Sequence, residues 1–302
     1  MNHSRSLALA GLLVAILCWA GNALLARAFM DDIPPLALAF WRWNLALLIL
    51  LPVVAVPLWR HRQQVWAAGW RLLIVAALGI TGYNSFLYTA AHTTEALNIT
   101  LVNTCIPLMT VIAAGLILKE WPTRRAWLGM LIAVLGLLIL ISRGELSRLL
   151  GLRFAAGDLI MLVAVADWAL YSVLLRRWAS HLYAIPPLAL LGVMILLGLV
   201  MLLPLYLYEH SQGARFVVTA ANLGAVAYAA VFASLLAYLC WNHGVKIIGA
   251  GKAALTSYLM PVFTAILAWL LLDEGLQSYH LIGGALIFSG LMLAARQKSV
   301  KA

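Results

Sequence analysis

Ten apolar runs follow one another with little polar sequence between them, and that pattern restricts the chain to one class of fold. The runs lie near residues 7–29, 34–58, 72–91, 96–118, 126–142, 158–178, 186–208, 223–242, 252–272 and 281–295. Each is about 15–25 residues long, close to the roughly 20 that an α-helix needs to cross the hydrocarbon. In hydrocarbon every backbone N–H and C=O must find a partner within the protein, so runs of this length are helices. The expectation is an all-α polytopic membrane protein with ten transmembrane helices. Composition agrees: 65% of the residues are hydrophobic and 10% are charged, against roughly a quarter charged in a soluble domain. The first run follows Arg5, but it is too long for a signal peptide and no small-residue cleavage pattern follows it.

The charge pattern sets an orientation. A net charge of +10 would point a soluble protein towards nucleic acid, but here the bases sit between apolar runs. Such bases set membrane orientation, so no nucleic-acid partner is expected. With the amino terminus inside, the inner segments hold 14 of the 20 Lys and Arg residues. Both termini are therefore expected in the cytoplasm. The three arginines of the 142–157 connection, Arg143, Arg148 and Arg153, run against this locally. Trp59, Trp66, Trp70, Trp121, Trp127 and Trp178 flank the inner span ends, as interfacial tryptophans do.

The chain also repeats itself. "PLMTVIAAGLILKE" (Pro107–Glu120) and "PVFTAILAWLLLDE" (Pro261–Glu274) share seven of fourteen letters at an offset of 154. "CWAGNALLAR" (Cys18–Arg27) echoes "DWALYSVLLR" (Asp167–Arg176), and "PPLAL" recurs at Pro34 and Pro186. Gly129 and Gly136 match Gly283 and Gly290. Two copies of a five-helix unit follow, over residues 1–145 and 155–302. Five is odd, so the second copy enters the membrane upside down. Inverted repeats characterise transporters, whose site lies near the midplane between the halves.

These residues resemble a known family. The proline, the run of mostly apolar residues, the glutamate and the Gly-rich last helix are similar to the drug/metabolite transporter superfamily. Within it they resemble the EamA-type ten-helix exporters. "YTAAHTTEALNITLVNTCIPLMTVIAAGLILKE", "GVKIIGAGKAALTSYLMPVFTAILAWLLLDE" and the arginine of "FWRWNLA" carry the resemblance. The narrower similarity is to the YddG-type aromatic amino-acid exporters. The resemblance implies a bacterial-type inner-membrane exporter of amino acids or related metabolites.

The residues support a site independently. Pro107 and Pro261 fall near the middles of their spans, where each frees a carbonyl, that of Asn103 and that of Ser257. Thr100, Asn103, Thr104 and Pro107 share one helical face. Ser257, Tyr258 and Pro261 match them in the second copy. Trp19 pairs by symmetry with Trp168, Asn22 with Tyr171, Asn84 with Tyr238, and Tyr88 with Asn242; Trp241 joins Tyr238 at helical spacing. An aromatic wall with a few amides and hydroxyls suits a small amphipathic solute. Helix-to-helix hydrogen bonding is the plainer reading of the same polar stripes. Arg42 and Asp167 lie at similar depths with opposite signs, and intramembrane charges pair or mark a pathway. A structural ion pair is expected; proton coupling through Asp167 is the sharper alternative. Arg27 with Glu274 on the outer face, and Arg176 with Glu120 on the inner face, are candidate gates that pair alternately. The plainer alternative is that the glutamates anchor helix ends.

Two other function classes compete. A membrane-embedded enzyme or sensor would need a nucleophile, an acid/base pair or a metal cluster at one depth. The spans offer only Arg42 and Asp167. An exporter of drugs or organic cations would want an unpaired buried acid, and the first span holds no Asp or Glu. Cys18, Cys105 and Cys240 are isolated, and the seven histidines never cluster. "GVKIIGAGKAA" resembles a phosphate loop, but Lys246 and Ala253 stand where Gly and Ser/Thr belong. No cofactor, metal or obligatory protein partner is expected, only a small solute and the lipid bilayer. "GMLIAVLG" and "GGALIFSG" put small residues along the fifth and tenth helices, for close packing or, less simply, a dimer face.

Overall fold

The computed structural model describes residues 3–29, 32–91, 94, 96–151, 155–272 and 277–295. Nine helices among them are long and apolar enough to cross a membrane. They are α1 (Ser4–Leu25), α2 (Pro35–Arg60), α3 (Trp70–Leu87), α4 (Asn98–Leu118), α5 (Arg124–Ile141), α6 (Ala156–Arg177), α7 (Pro187–Ser211), α8 (Ala220–Ile248) and α9 (Ala250–Leu270). A shorter apolar helix, α10 (Ser278–Ala294), completes the set. In order and position these match the ten apolar runs. The face holding the amino-terminal end of α1 is called the near face below, and the opposite one the far face.

The packing obeys the repeat. Helix α1 packs against α8 and α9, as α6 packs against α3 and α4; α2 meets α7, and α5 meets α10, across the pseudo-twofold axis. Leu48, Leu131, Val200 and Leu281 stand exposed on outward faces, where lipid would cover them. The α5–α10 seam has no spare room. A methyl group added at Gly136 would lie 2.5 Å from the Gly283 carbonyl oxygen, and one at Gly129 would lie 2.5 Å from that of Gly290. Small residues let helix backbones approach this closely. The glycine stripe is therefore occupied within the chain, which removes it as a dimer face.

Two devices fix helix ends and backbones between the halves. Helices α2 and α7 both start on a proline pair, where a missing N–H costs nothing. At α2 the next two N–H groups, of Leu36 and Ala37, donate to the carboxylate of Glu209 at 2.9 and 2.8 Å. A carboxylate there also complements the positive end of the helix dipole. Helices α3 and α8 each contain a π-helical stretch, Ala77–Gly82 and Ala229–Leu236, at matching places in the two repeats. A π turn displaces carbonyls from the regular ladder. Aromatic donors fill two of them: Tyr238 Oη donates to the Gly79 carbonyl, and Trp19 Nε1 donates to the Ala233 carbonyl at 3.0 Å. Both bonds join one repeat to the other.

Candidate functional site

The two prolines break their helices as the sequence requires. Helix α4 runs regularly to Asn103, turns at Thr104 and Cys105, and resumes at Ile106–Leu118. The turn is tight: Thr104 N–H donates to the Leu101 carbonyl at 3.1 Å and Cys105 N–H to that of Val102 at 2.9 Å. Helix α9 changes to a 3₁₀ turn over Thr256–Leu259 and resumes at Met260. One expectation is corrected here. The Ser257 carbonyl is not left open, because the 3₁₀ turn lets the Met260 N–H donate to it.

A cavity of about 590 Å³ lies beside both breaks, with Asn103, Thr104 and Pro107 on one side and Ser257, Tyr258 and Pro261 on the other. Trp19, Asn22, Asn84, Trp168 and Tyr238 also line it, as does Arg42. Arg143 and His280 line it where α5 ends and α10 begins, so the cavity opens towards the far face. It closes towards the near face on an aromatic floor. Trp19 and Trp168 meet edge to face with centroids 5.3 Å apart, and Tyr238 lies 6.0 Å from Trp19.

Three expected lining residues form the plug under that floor instead. Trp241 and Tyr171 are fully buried. Tyr171 Oη donates to Asn242 Oδ1 at 2.7 Å, and Trp241 Nε1 donates to Ser172 Oγ at 3.2 Å. These hydrogen bonds clamp α6 to α8 on the near side, so Tyr171, Trp241 and Asn242 do not reach the cavity. Tyr88 keeps its place on the helix, but its side chain lies outside the described residues.

The intramembrane charges are not arranged as expected. Arg42 and Asp167 are both buried, yet they form no ion pair. Asp167 instead accepts the backbone N–H of Tyr83 and occupies a notch at Gly82, where any side chain would collide with its Oδ1. Arg42 lies over the Trp43 ring at 5.0 Å, and its Nε has no hydrogen-bond partner among the described residues. The two residues face different neighbours.

The candidate gates also separate. Arg176 Nη1 donates to the Lys246 carbonyl at 2.8 Å, while Glu120 lies beside Gly249; the two form no ion pair although the near face is closed. Glu274 and the side chain of Arg27 lie outside the described residues.

The sequence reading missed several polar wall residues, Tyr83, Arg143, Thr264 and His280 among them. Tyr83 lines the cavity, and its Oη donates to Asn103 Oδ1 at 2.9 Å. The bond leaves Asn103 to present its amide donors. The available signal was adjacency: Tyr83 immediately precedes Asn84, already placed on the wall.

A helical membrane protein with a cavity between two inverted halves, open to one face and plugged at the other, has the build of a carrier. The EamA-like transporter family matches residues 6–142 and again 155–296. The chain belongs to that family, a branch of the drug/metabolite transporter superfamily and not a family of enzymes. It is 30% identical to the uncharacterized transporter YyaM of Bacillus subtilis, covering 90% of this chain and 88% of that one. It is 24% identical to a probable amino-acid metabolite efflux pump of Salmonella typhimurium, covering 93% and 92% of the two chains. A solved crystal structure with 22% identity superposes at a TM-score of 0.77 over 96% of this chain and 97% of the other, which supports the fold.

Proposed function

We propose that this chain exports amino acids, aromatic and other neutral ones included, or related small metabolites, from the cytoplasm across an inner membrane by alternating access. The observation that carries the reading is the composition of the cavity. Trp19, Trp168 and Tyr238 give an apolar floor, while Asn84, Asn103, Thr104 and Ser257 give amide and hydroxyl groups on the walls. Such a site suits a solute with one apolar arm and one polar end. Each aromatic contact contributes about 0.5–1.5 kcal/mol beyond simple burial. The similarity to a probable amino-acid metabolite efflux pump and to the YddG-type group supports the substrate class and the export direction. The base distribution of the sequence supports cytoplasmic termini.

Counterflow in liposomes holding only the purified protein tests the reading. Labelled phenylalanine and leucine are expected to accumulate against their unlabelled forms. Asn103→Ala is expected to weaken both, and Trp168→Ala to weaken phenylalanine more. Transport of sugars or organic cations with no amino-acid counterflow would overturn it.

A further inference from the structure

The charges and donors facing the cavity are one-sided. Its described lining includes Arg42, Arg143 and His280 but no aspartate or glutamate. Arg42 is 4% exposed and, among the described residues, has no ion-pair partner and carries an Nε with no acceptor. Asn84 Nδ2 is likewise buried without an acceptor among the described residues. Asn103 has its Oδ1 engaged by Tyr83 Oη, which turns its amide nitrogen into the available group. A buried guanidinium without a counterion is costly, and a buried donor without an acceptor costs about 1–3 kcal/mol. A solute oxygen anion would relieve several of these at once. The guanidinium fork fits a carboxylate with two parallel hydrogen bonds. For an ammonium group the described lining offers hydroxyls and carbonyls but no formal negative charge.

We infer that the cavity recognises its solute chiefly by a carboxylate held on Arg42, and that the solute's ammonium group is dispensable. Monocarboxylates with an apolar arm and no amino group then share the pathway with amino acids. The inference rests on the transport reading above and names its ligand chemistry. Arg42 holds one end of the solute; the floor of Trp19, Trp168 and Tyr238 receives the other.

The test uses three probes that share a phenyl arm: 3-phenylpropanoate, phenylalanine and phenethylamine. Binding to the purified protein is followed by quenching of tryptophan fluorescence, and transport by counterflow in liposomes. The two carboxylates are expected to bind within about tenfold of each other, and the amine about a hundredfold more weakly. Arg42→Gln is expected to weaken both carboxylates by about tenfold to a hundredfold, with Arg42→Lys falling between. The wild-type series needs no variant to fold, so it stands by itself. An amine that binds as well as 3-phenylpropanoate, or carboxylates unaffected by a folded Arg42→Gln protein, would overturn the inference. The outcomes separate it from the broader reading. Movement of 3-phenylpropanoate without phenylalanine would sink amino-acid export and keep the carboxylate anchor. Movement of phenylalanine without binding of 3-phenylpropanoate would do the reverse. Binding and movement of neither would sink both.

Discussion

The near and far sides of this protein are made from equivalent residues, yet one is shut and the other open. On the near side Tyr171 of α6 donates to Asn242 of α8, and Trp241 fills the space beside them. The repeat places Asn22 of α1 and Tyr88, in the helical segment Tyr83–Ala91 that continues α3, at the corresponding positions on the far side. There Asn22 lines the open cavity. The same pair of residue types recurs in the sequence with the helices exchanged: Asn242 is held in a closed arrangement, while Asn22 stands beside an opening. On the proposed alternating-access reading, closure is a choice between two packings of a nearly symmetric chain. Two such packings need differ by only a few kcal/mol for a solute to move the balance between them.

The largest effect is expected from emptying the near-side plug. Trp241→Ala should cost about 3–5 kcal/mol, because a fully buried tryptophan leaves a large void. Thermal unfolding in detergent measures the loss, and solute leak through liposomes shows whether the near side still seals. The α5–α10 seam serves both sides equally, so it should affect stability without favouring either. Gly136→Val is expected to cost about 1–3 kcal/mol through overpacking against the Gly283 backbone. Equal loss of labelling at both faces, read beside the melting temperature, would confirm its neutrality.

A smaller change isolates the clamp. Tyr171→Phe removes one hydrogen bond, with an expected cost of about 0.5–1.5 kcal/mol. The ring stays, so the near side should open more often while the melting temperature barely moves. Faster near-side labelling in a folded protein checks this. The smallest effect belongs to the exposed Arg148–Glu145 pair on the far-side connection, joined at 2.8 Å. Arg148 holds the Glu145 carboxyl below its usual range. A lowered carboxyl contributes stability above its unfolded pKa and loses it as pH falls through the folded value. Glu145→Gln should therefore remove a slight acid-side dependence of melting, more visibly at low salt than at high.

Much of this architecture was legible in the sequence because membrane helices announce themselves by length, and repeats by order. Pro107 and Pro261 marked both helix breaks, since a proline in mid-helix leaves few alternatives. Trp19, Trp168, Asn103 and Ser257 reached the cavity because the repeat fixed them at one depth. Depth is only one coordinate, however. Residue counting puts Arg42 and Asp167 at similar depths, but packing turned Asp167 towards the Gly82 notch and Arg42 towards the cavity. Tyr171 and Trp241 fell below the floor for the same reason. The π-helical stretches left no trace in the letters, because a single widened turn has no propensity signature. Glu209 gave no sign of capping α2, because its partners lie some 170 positions earlier in the chain.

The central claim is that one set of symmetric residues opens each side in turn, and sided cysteine labelling tests it most directly. Asn22→Cys and Asn242→Cys are made separately in a chain carrying Cys18→Ala, Cys105→Ala and Cys240→Ala, then placed in oriented liposomes. Without solute, Asn22→Cys is expected to react with an impermeant thiol reagent from the far face, and Asn242→Cys to stay protected. A transported solute should shift the two in opposite senses, protecting Asn22→Cys and exposing Asn242→Cys to the near face. If both respond in the same sense, or neither responds while solute crosses, the two sides do not alternate and the account is wrong.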